Sequence, residues 1–256
     1  MIAALFGVFA ALLIIEMPVS FSLLISTVVS MAVFSDIDLF AIVAKMFRAS
    51  SNFSLIAVPF FILAGGLMDS GGISRRLVTF ASNLIGHIRG GLANASVIAA
   101  MFFAGLSGAA AADTAAVGSL LIPAMKRKGY GNDIATSVMA TAGSIGIVIP
   151  PSIPMIILGV TAGISIGGMF MGGVIPGILI GLFLMIVNII YTKVRRIDPE
   201  PRASMREVLR SFIDSFLALF TVVIIVGGIT LGVFTATEAS VVAVIRSEER
   251  RVGKEC

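Results

Sequence analysis

Cysteine occurs once among the 256 residues, at Cys256, and histidine once, at His87. That excludes a disulfide framework, a thiolate metal site and the two-histidine zinc motifs. Tryptophan is absent, and Asp, Glu, Lys and Arg together make up 12% of the chain, against about a quarter in soluble domains. Hydrophobic residues take their place at 58%, with a mean hydropathy of +1.09. A soluble globular domain is excluded, and the chain is built for lipid. The 27 glycines exceed the usual share of about 7% and favour close helix packing over large aromatic platforms. The 18 Lys and Arg against 14 Asp and Glu give a net charge of +4. No polar stretch is long enough to form a basic face for nucleic acid. The positives instead mark the cytoplasmic side of a membrane protein.

A span of about 30 Å of hydrocarbon needs roughly 20 apolar residues. The stretch from Ile2 to Ser35 is long enough for two tight spans, with the bend at Glu16 and Pro18. No Lys or Arg precedes Ile2 and no small-residue cleavage site follows a short apolar core, so the first helix is expected to stay. Asp36 to Asn52 sets Asp36, Asp38, Lys45 and Arg48 among Leu39, Phe40, Ile42, Val43, Met46 and Phe47, a pattern suited to an arm lying in the interface. Phe53 to Met68 is a third span, and Ile73 to His87 a second interfacial helix.

Two later segments are apolar but interrupted. Leu92 to Met125 is broken by Gly105-Leu106-Ser107-Gly108, and Ile134 to Gly163 by Gly143-Ser144-Ile145-Gly146 and then Pro150-Pro151-Ser152-Ile153-Pro154. Proline lacks a backbone donor and disfavours helix just before it. Gly105, Pro150, Pro151 and Pro154 are therefore expected to mark helix breaks. Further spans cover Gly167 to Tyr191 and Val208 to Val233, joined by a basic linker over 193–210. With that linker in the cytoplasm, Lys126, Arg127 and Lys128 return to the same side. A re-entrant hairpin at 92–125 then keeps Arg75, Arg76 and Arg89 there too, whereas a single span would strand them outside.

Non-helical backbone at membrane depth survives only where protein covers it or where water and ions reach it, so both breaks are candidate binding sites. Asp113 lies just past the hairpin tip, where a carboxylate costs about 2.5 to 3.5 kcal/mol. With the Ser107 and Thr114 hydroxyls it either stabilises a cation site or caps the helix that starts there. The second break offers the Thr141 and Ser144 hydroxyls and the carbonyls freed ahead of Pro150, an oxygen-only set suited to Na+. A kinked and packed helix is the plainer alternative. Discontinuous helices are how secondary transporters meet solute and coupling ion at the midplane. Gly105-Leu106-Ser107-Gly108 also matches the GxSG motif of intramembrane serine proteases, but the base such a nucleophile needs is missing nearby, since His87 sits in the interfacial segment. Glu16 is expected at a helix end, and Thr235-Ala236-Thr237-Glu238 as a cap for the next helix.

The segments GLSGAAAADTAAVG, KRKGYGNDIATSV and GSIGIVIPPSIPMI, in that order, resemble the large membrane permease subunit of tripartite ATP-independent periplasmic (TRAP) transporters. FTATEA, where that family usually reads FTPTEA, fits the opening of a second repeat. The resemblance covers nearly all of residues 1 to 245. It implies an all-α polytopic protein of the bacterial inner membrane and not an enzyme. It further implies an elevator-type, Na+-coupled secondary transporter with a helical hairpin and a discontinuous helix as the first of two inverted repeats. The implied solute is a small organic acid, a C4-dicarboxylate, sialic acid or another sugar acid, delivered by a periplasmic binding protein. A small four-helix membrane subunit and membrane lipid are the other partners, with Na+ as the coupling ion and no cofactor. Another Na+-coupled carboxylate carrier is the alternative.

Carried over to this sequence, Ser107 and Gly108 at the hairpin tip and Gly143, Ser144 and Gly146 at the broken helix become first-repeat Na+ candidates, largely through carbonyls; Asp113, Thr114 and Thr141, read from the residues themselves, are the further candidates for the solute and ion site. Ala109 stands where many relatives have Ser, which removes one hydroxyl ligand. The expected organisation is 1–72 for N-terminal scaffold spans and arm, 73–165 for the transport region, with the hairpin at about 92–125 and the broken helix at about 134–163. Then come 166–233 for further spans and 234–245 for the start of a second repeat. Residues 246–256, RSEERRVGKEC, end the apolar run abruptly, resemble read-through of non-native sequence, and are set apart from the fold.

Overall fold

In a computed structural model the described residues are 1–35, 38 and 40–252, those from 248 onward by backbone only. Asp36 and Leu39 of the expected arm, and Cys256, lie outside them. Twelve α-helices and two short 3-10 turns, with no strand, are formed among the described residues. They fall into two units, Met1–Asn52 and Phe53–Cys256.

In the first unit α1 (Ile2–Ile14) and α2 (Val19–Phe34) pack together across the bend at Glu16, which takes a positive φ of 61°. The buried side chains of α2 are Ser22, Ser26 and Ser30. Their spacing of four puts one small-residue stripe along the helix, which lets a neighbour approach closely. α3 (Phe40–Ser50) is the amphipathic arm, introduced by Asp38 Oδ1 accepting from Phe40 N at 3.0 Å.

The second unit begins with a 3-10 turn and α4 (Ala57–Ser70), then α5 (Ile73–Ile85), α6 (Gly91–Ser107) and α7 (Ala110–Arg127). α8 (Asn132–Ser144) runs into a 3-10 turn at Ile145–Ile147, and α9 (Ile153–Ala162) resumes the helix. α10 (Ile166–Arg195), α11 (Met205–Thr230) and α12 (Ala236–Val252) complete it. Among the described residues three segments are long and apolar enough to cross a membrane, Phe53–Ser70, Ile166–Arg195 and Met205–Thr230.

α6 is the centre of this unit. Of its 17 residues 14 are buried, as befits a helix apolar on every face. Phe103 and Leu106 meet Met68, Leu77, Leu121, Met125 and Met139 from the surrounding helices. α10 is the opposite case, burying only Phe170, Gly173, Gly177, Gly181, Asn188 and Thr192 of its 30 residues. The three glycines form a stripe against Met155, Ile149 and Met101, and exposed Ile175, Phe183 and Val187 suit lipid. Thr235 and Glu238 cap α12 reciprocally, as Ser204 and Glu207 cap α11.

Several boundaries differ from expectation. Gly105 is not a break: it lies inside α6, where a Cβ would come within 2.7 Å of Val222 Cγ1, so the glycine serves close helix packing. Pro154 is not a break either, since it occupies the first turn of α9, where its missing donor costs nothing. Gly143 and Ser144 end α8, and the helix is interrupted over 145–152. The basic linker shrinks to 196–204, because Lys193 and Arg195 belong to the last turn of α10, and Arg206 and Arg210 to α11. α12 continues through residues 246–252.

Candidate functional site

Gly108 ends α6 in the left-handed region at φ 64°, and α7 starts two residues later. Glycine is needed there twice over. L side chains rarely adopt that φ, and a Cβ would lie 2.5 Å from Pro151 O and 3.2 Å from Ile153 N. The tip of the hairpin thus touches the break between α8 and α9, and Ile153 N donates to Gly108 O at 3.1 Å. At the open end of the hairpin Tyr130 Oη donates to Gly90 O at 3.1 Å, so both arms begin and finish together.

Inside the tip Ser107 Oγ accepts from Ala109 N at 3.1 Å and donates to Asp113 Oδ1. Asp113 is fully buried in the first turn of α7, where the positive end of the helix dipole favours a carboxylate. Its other oxygen, Oδ2, is buried without a hydrogen-bond partner. That oxygen occupies the space a Cβ at Gly146 would fill, and Thr114 Oγ1 occupies the space a Cβ at Gly143 would fill. Gly143 and Gly146 are therefore sockets for the two side chains of the hairpin, and Asp113 spans both broken elements.

The structure brings Ser107, Gly108, Asp113, Thr114, Gly143 and Gly146 together, with Pro151 against the tip. Thr141 and Ser144 stand apart. Both are exposed, and their hydroxyls donate back to carbonyls of α8, Thr141 to Ser137 and Ser144 to Thr141. Pro150 and Pro151 lie in the gap, and Ser152 closes it as the N-cap of α9: its Oγ donates to Ile147 O at 2.7 Å and accepts from Met155 N. That role of Ser152 was readable from a serine ahead of a proline at the second helical position.

The arrangement offers oxygen atoms around a buried carboxyl group, of the type that suits a hard monovalent or divalent cation. No group of three His, Cys, Asp or Glu side chains able to hold a metal occurs among the described residues. It does not suit serine hydrolysis. Ser107 is committed to Asp113, while His87 lies before the start of α6, about 25 Å away for 17 residues at 1.5 Å each.

The profile of the DctM component of tripartite ATP-independent periplasmic transporters matches residues 6–247. The chain is 44% identical over 226 residues to the C4-dicarboxylate TRAP transporter large permease protein of Pseudomonas aeruginosa, covering 88% of this chain and 53% of that protein. It is 40% identical over 243 residues to the sialic acid TRAP transporter large permease protein of Vibrio cholerae, covering 95% and 57%. With the 2,3-diketo-L-gulonate TRAP transporter large permease protein of Escherichia coli it shares 41% over 229 residues, covering 90% and 54%. The chain spans about half the length of the curated relatives it matches. All three are named as permeases, none as an enzyme. With a profile match across almost its whole length and apolar helices to cross a bilayer, this chain is a multi-pass membrane protein that belongs to the DctM family of TRAP transporter components.

Proposed function

We propose that this chain contributes the first hairpin and first broken helix of a Na+-coupled TRAP permease in the bacterial inner membrane. The solute is a small organic acid, the chemistry common to the dicarboxylate, sialic acid and diketogulonate in the relatives' names. A periplasmic binding protein delivers it, and a small four-helix membrane subunit braces the permease. Transport is by elevator-type alternating access, with the hairpin region 73–165 moving against the remaining spans as the first of two inverted repeats.

The observation that carries the ion site is the unpartnered Asp113 Oδ2, buried where the hairpin tip meets the broken helix. A lone carboxylate oxygen in such a place is costly, and a cation drawn in from the exposed face beside Thr141 and Ser144 compensates it. Ser107 and Thr114 supply hydroxyls, and Gly108, whose carbonyl accepts from Ile153 N, is the backbone contribution from the tip. The solute carboxylate then enters a site whose local charge is neutralised by Na+, which couples the two bindings.

The test is hydrogen exchange of the chain in lipid nanodiscs, with Na+ against K+ at matched ionic strength. Amides at 105–114 and 143–153 are expected to exchange more slowly in Na+, and Asp113→Asn to abolish the difference. Equal exchange in the two salts would sink the ion site. Uptake of a labelled dicarboxylate into proteoliposomes holding the assembled transporter, with and without a Na+ gradient, checks the coupling.

A further inference from the structure

At the end of α10 opposite the hairpin tip, three segments of the second unit converge on a cavity of about 340 Å³. It is lined by Arg89 from the turn before α6, Thr192 and Lys193 from the last turn of α10, and Arg196, Asp198 and Pro199 from the linker. That volume falls in the range of small-molecule pockets, about 300–1,000 Å³. Three cations face one carboxylate. Among the described residues none of Arg89, Lys193, Arg196 and Asp198 forms an ion pair within 4.0 Å, although the cavity brings all four to one place.

The walls are fixed by bonds that do not involve these charges. Glu200 N donates to Gly86 O at 2.9 Å, Ile197 N donates to Thr192 O at 3.0 Å, and Lys128 pairs with Glu200 at 3.1 Å. Arg196 itself has a φ of 54°, a positive value shared by only one other non-glycine residue among the described ones, Glu16. That conformation is the left-handed C-cap of α10, closed by the bond from Ile197 N to Thr192 O, and it fixes where the Arg196 side chain leaves the helix end. The partial negative charge of the α10 C-terminus is small beside three full positive charges.

We infer that this pocket binds the phosphodiester headgroup of an anionic phospholipid, with Arg89, Lys193 and Arg196 on the phosphate and Asp198 setting the limit on net charge. The chemistry alone would also admit a free phosphate. The lipid is favoured by position: α10 has 30 residues, about 45 Å at 1.5 Å each, which carries its end through the hydrocarbon to the headgroup layer. Basic pockets at the cytoplasmic ends of membrane helices are suited to such headgroups. Nothing here depends on the transport reading.

Native mass spectrometry of the full chain released from detergent tests it, with phosphatidylglycerol, phosphatidylcholine and inorganic phosphate as probes. Phosphatidylglycerol is expected to be retained at one per chain, about tenfold more tightly than phosphatidylcholine, and to weaken about tenfold in the double variant Arg89→Gln/Lys193→Gln. Asp198→Asn should act in the opposite direction, tightening phosphatidylglycerol about threefold, so that a folding defect in the double variant does not decide the matter. Equal retention of the two lipids, or an unchanged affinity in a folded double variant and in Asp198→Asn, would overturn the proposal. Displacement of phosphatidylglycerol by inorganic phosphate at equal concentration would overturn the lipid as occupant.

Discussion

The pairing of Asp113 with Gly146 makes a double-mutant cycle the sharpest test of how the hairpin is joined to the broken helix. Gly146 has no positive φ, so its backbone accepts alanine, and the obstacle is the Asp113 Oδ2 that already fills the Cβ position. Forcing a methyl into that space costs about 1–3 kcal/mol. With Asp113→Ala the space is free, Ala110 Cα at 3.4 Å is an ordinary neighbour, and replacing glycine stabilises by about 0.4–1 kcal/mol. The cycle therefore predicts a coupling of about 1.5–4 kcal/mol and a change of sign for Gly146→Ala. Asp113→Ala alone carries little information, because losing the Ser107 bond to a charged acceptor, about 1.5–3 kcal/mol, is offset by removing a buried carboxylate worth about 2.5–3.5 kcal/mol. The chain has no tryptophan, so unfolding by SDS in mixed micelles is best followed by far-UV circular dichroism. Additivity of the two substitutions within about 0.5 kcal/mol would refute the socket and with it the junction of the two elements.

Neighbouring glycines on α10 give a matched comparison. A Cβ at Gly173 would strike the Val148 carbonyl of the broken-helix loop, while nothing lies within 4 Å of one at Gly172. Gly173→Ala is expected to lower stability by about 1–3 kcal/mol and Gly172→Ala to raise it by about 0.5–1 kcal/mol; equal effects in the same unfolding titration would contradict the packing. Tyr130, in the loop after α7, has its hydroxyl pKa pushed up from 10.0, chiefly by burial. A raised folded value means that its contribution is complete below pH 10 or so and is lost as pH climbs through the folded pKa. Tyr130→Phe should cost about 1 kcal/mol at neutral pH through the bond to Gly90 O and should remove that alkaline loss. Phenolate absorbance in a Tyr191→Phe background, where Tyr130 is the remaining tyrosine, reports the titration, and a midpoint at or below 10 would count against a buried hydroxyl.

The hairpin and the broken helix were legible because their punctuation is local. Gly108 must be glycine for its φ, and Pro150 and Pro151 sit where no helix can pass. The bends at Glu16 and at Thr235 to Glu238 announce themselves in the same way. Where meaning depends on a partner, the sequence misleads. Gly105 looks like a hinge and is a packing contact for Val222, a residue more than a hundred positions away. Thr141 and Ser144 carry ligand-type hydroxyls but stand exposed on α8 while Asp113 is buried, a difference of helix face that spacing alone does not show.

The linker's docking was invisible for a further reason: Glu200 N to Gly86 O is a backbone bond, and any residue but proline would make it. The sockets at Gly143 and Gly146 stand between these cases. By sequence these glycines read as signs of a broken helix, and the structure gives them a further task, because α8 is still helical at Gly143 and the chain still turns in a 3-10 fashion at Gly146. They are glycine so that Thr114 and Asp113 can enter. Residues three apart share one face of a helical segment, so two adjacent side chains of α7 meet both openings at once, and a carboxylate that belongs to the hairpin ends up inside the wall of the broken helix. On the ion site proposed above, an event that withdraws Asp113 from Gly146 would also empty the site beside it, and occupancy of that site and closure of the hairpin on the broken helix would then be two readings of one equilibrium.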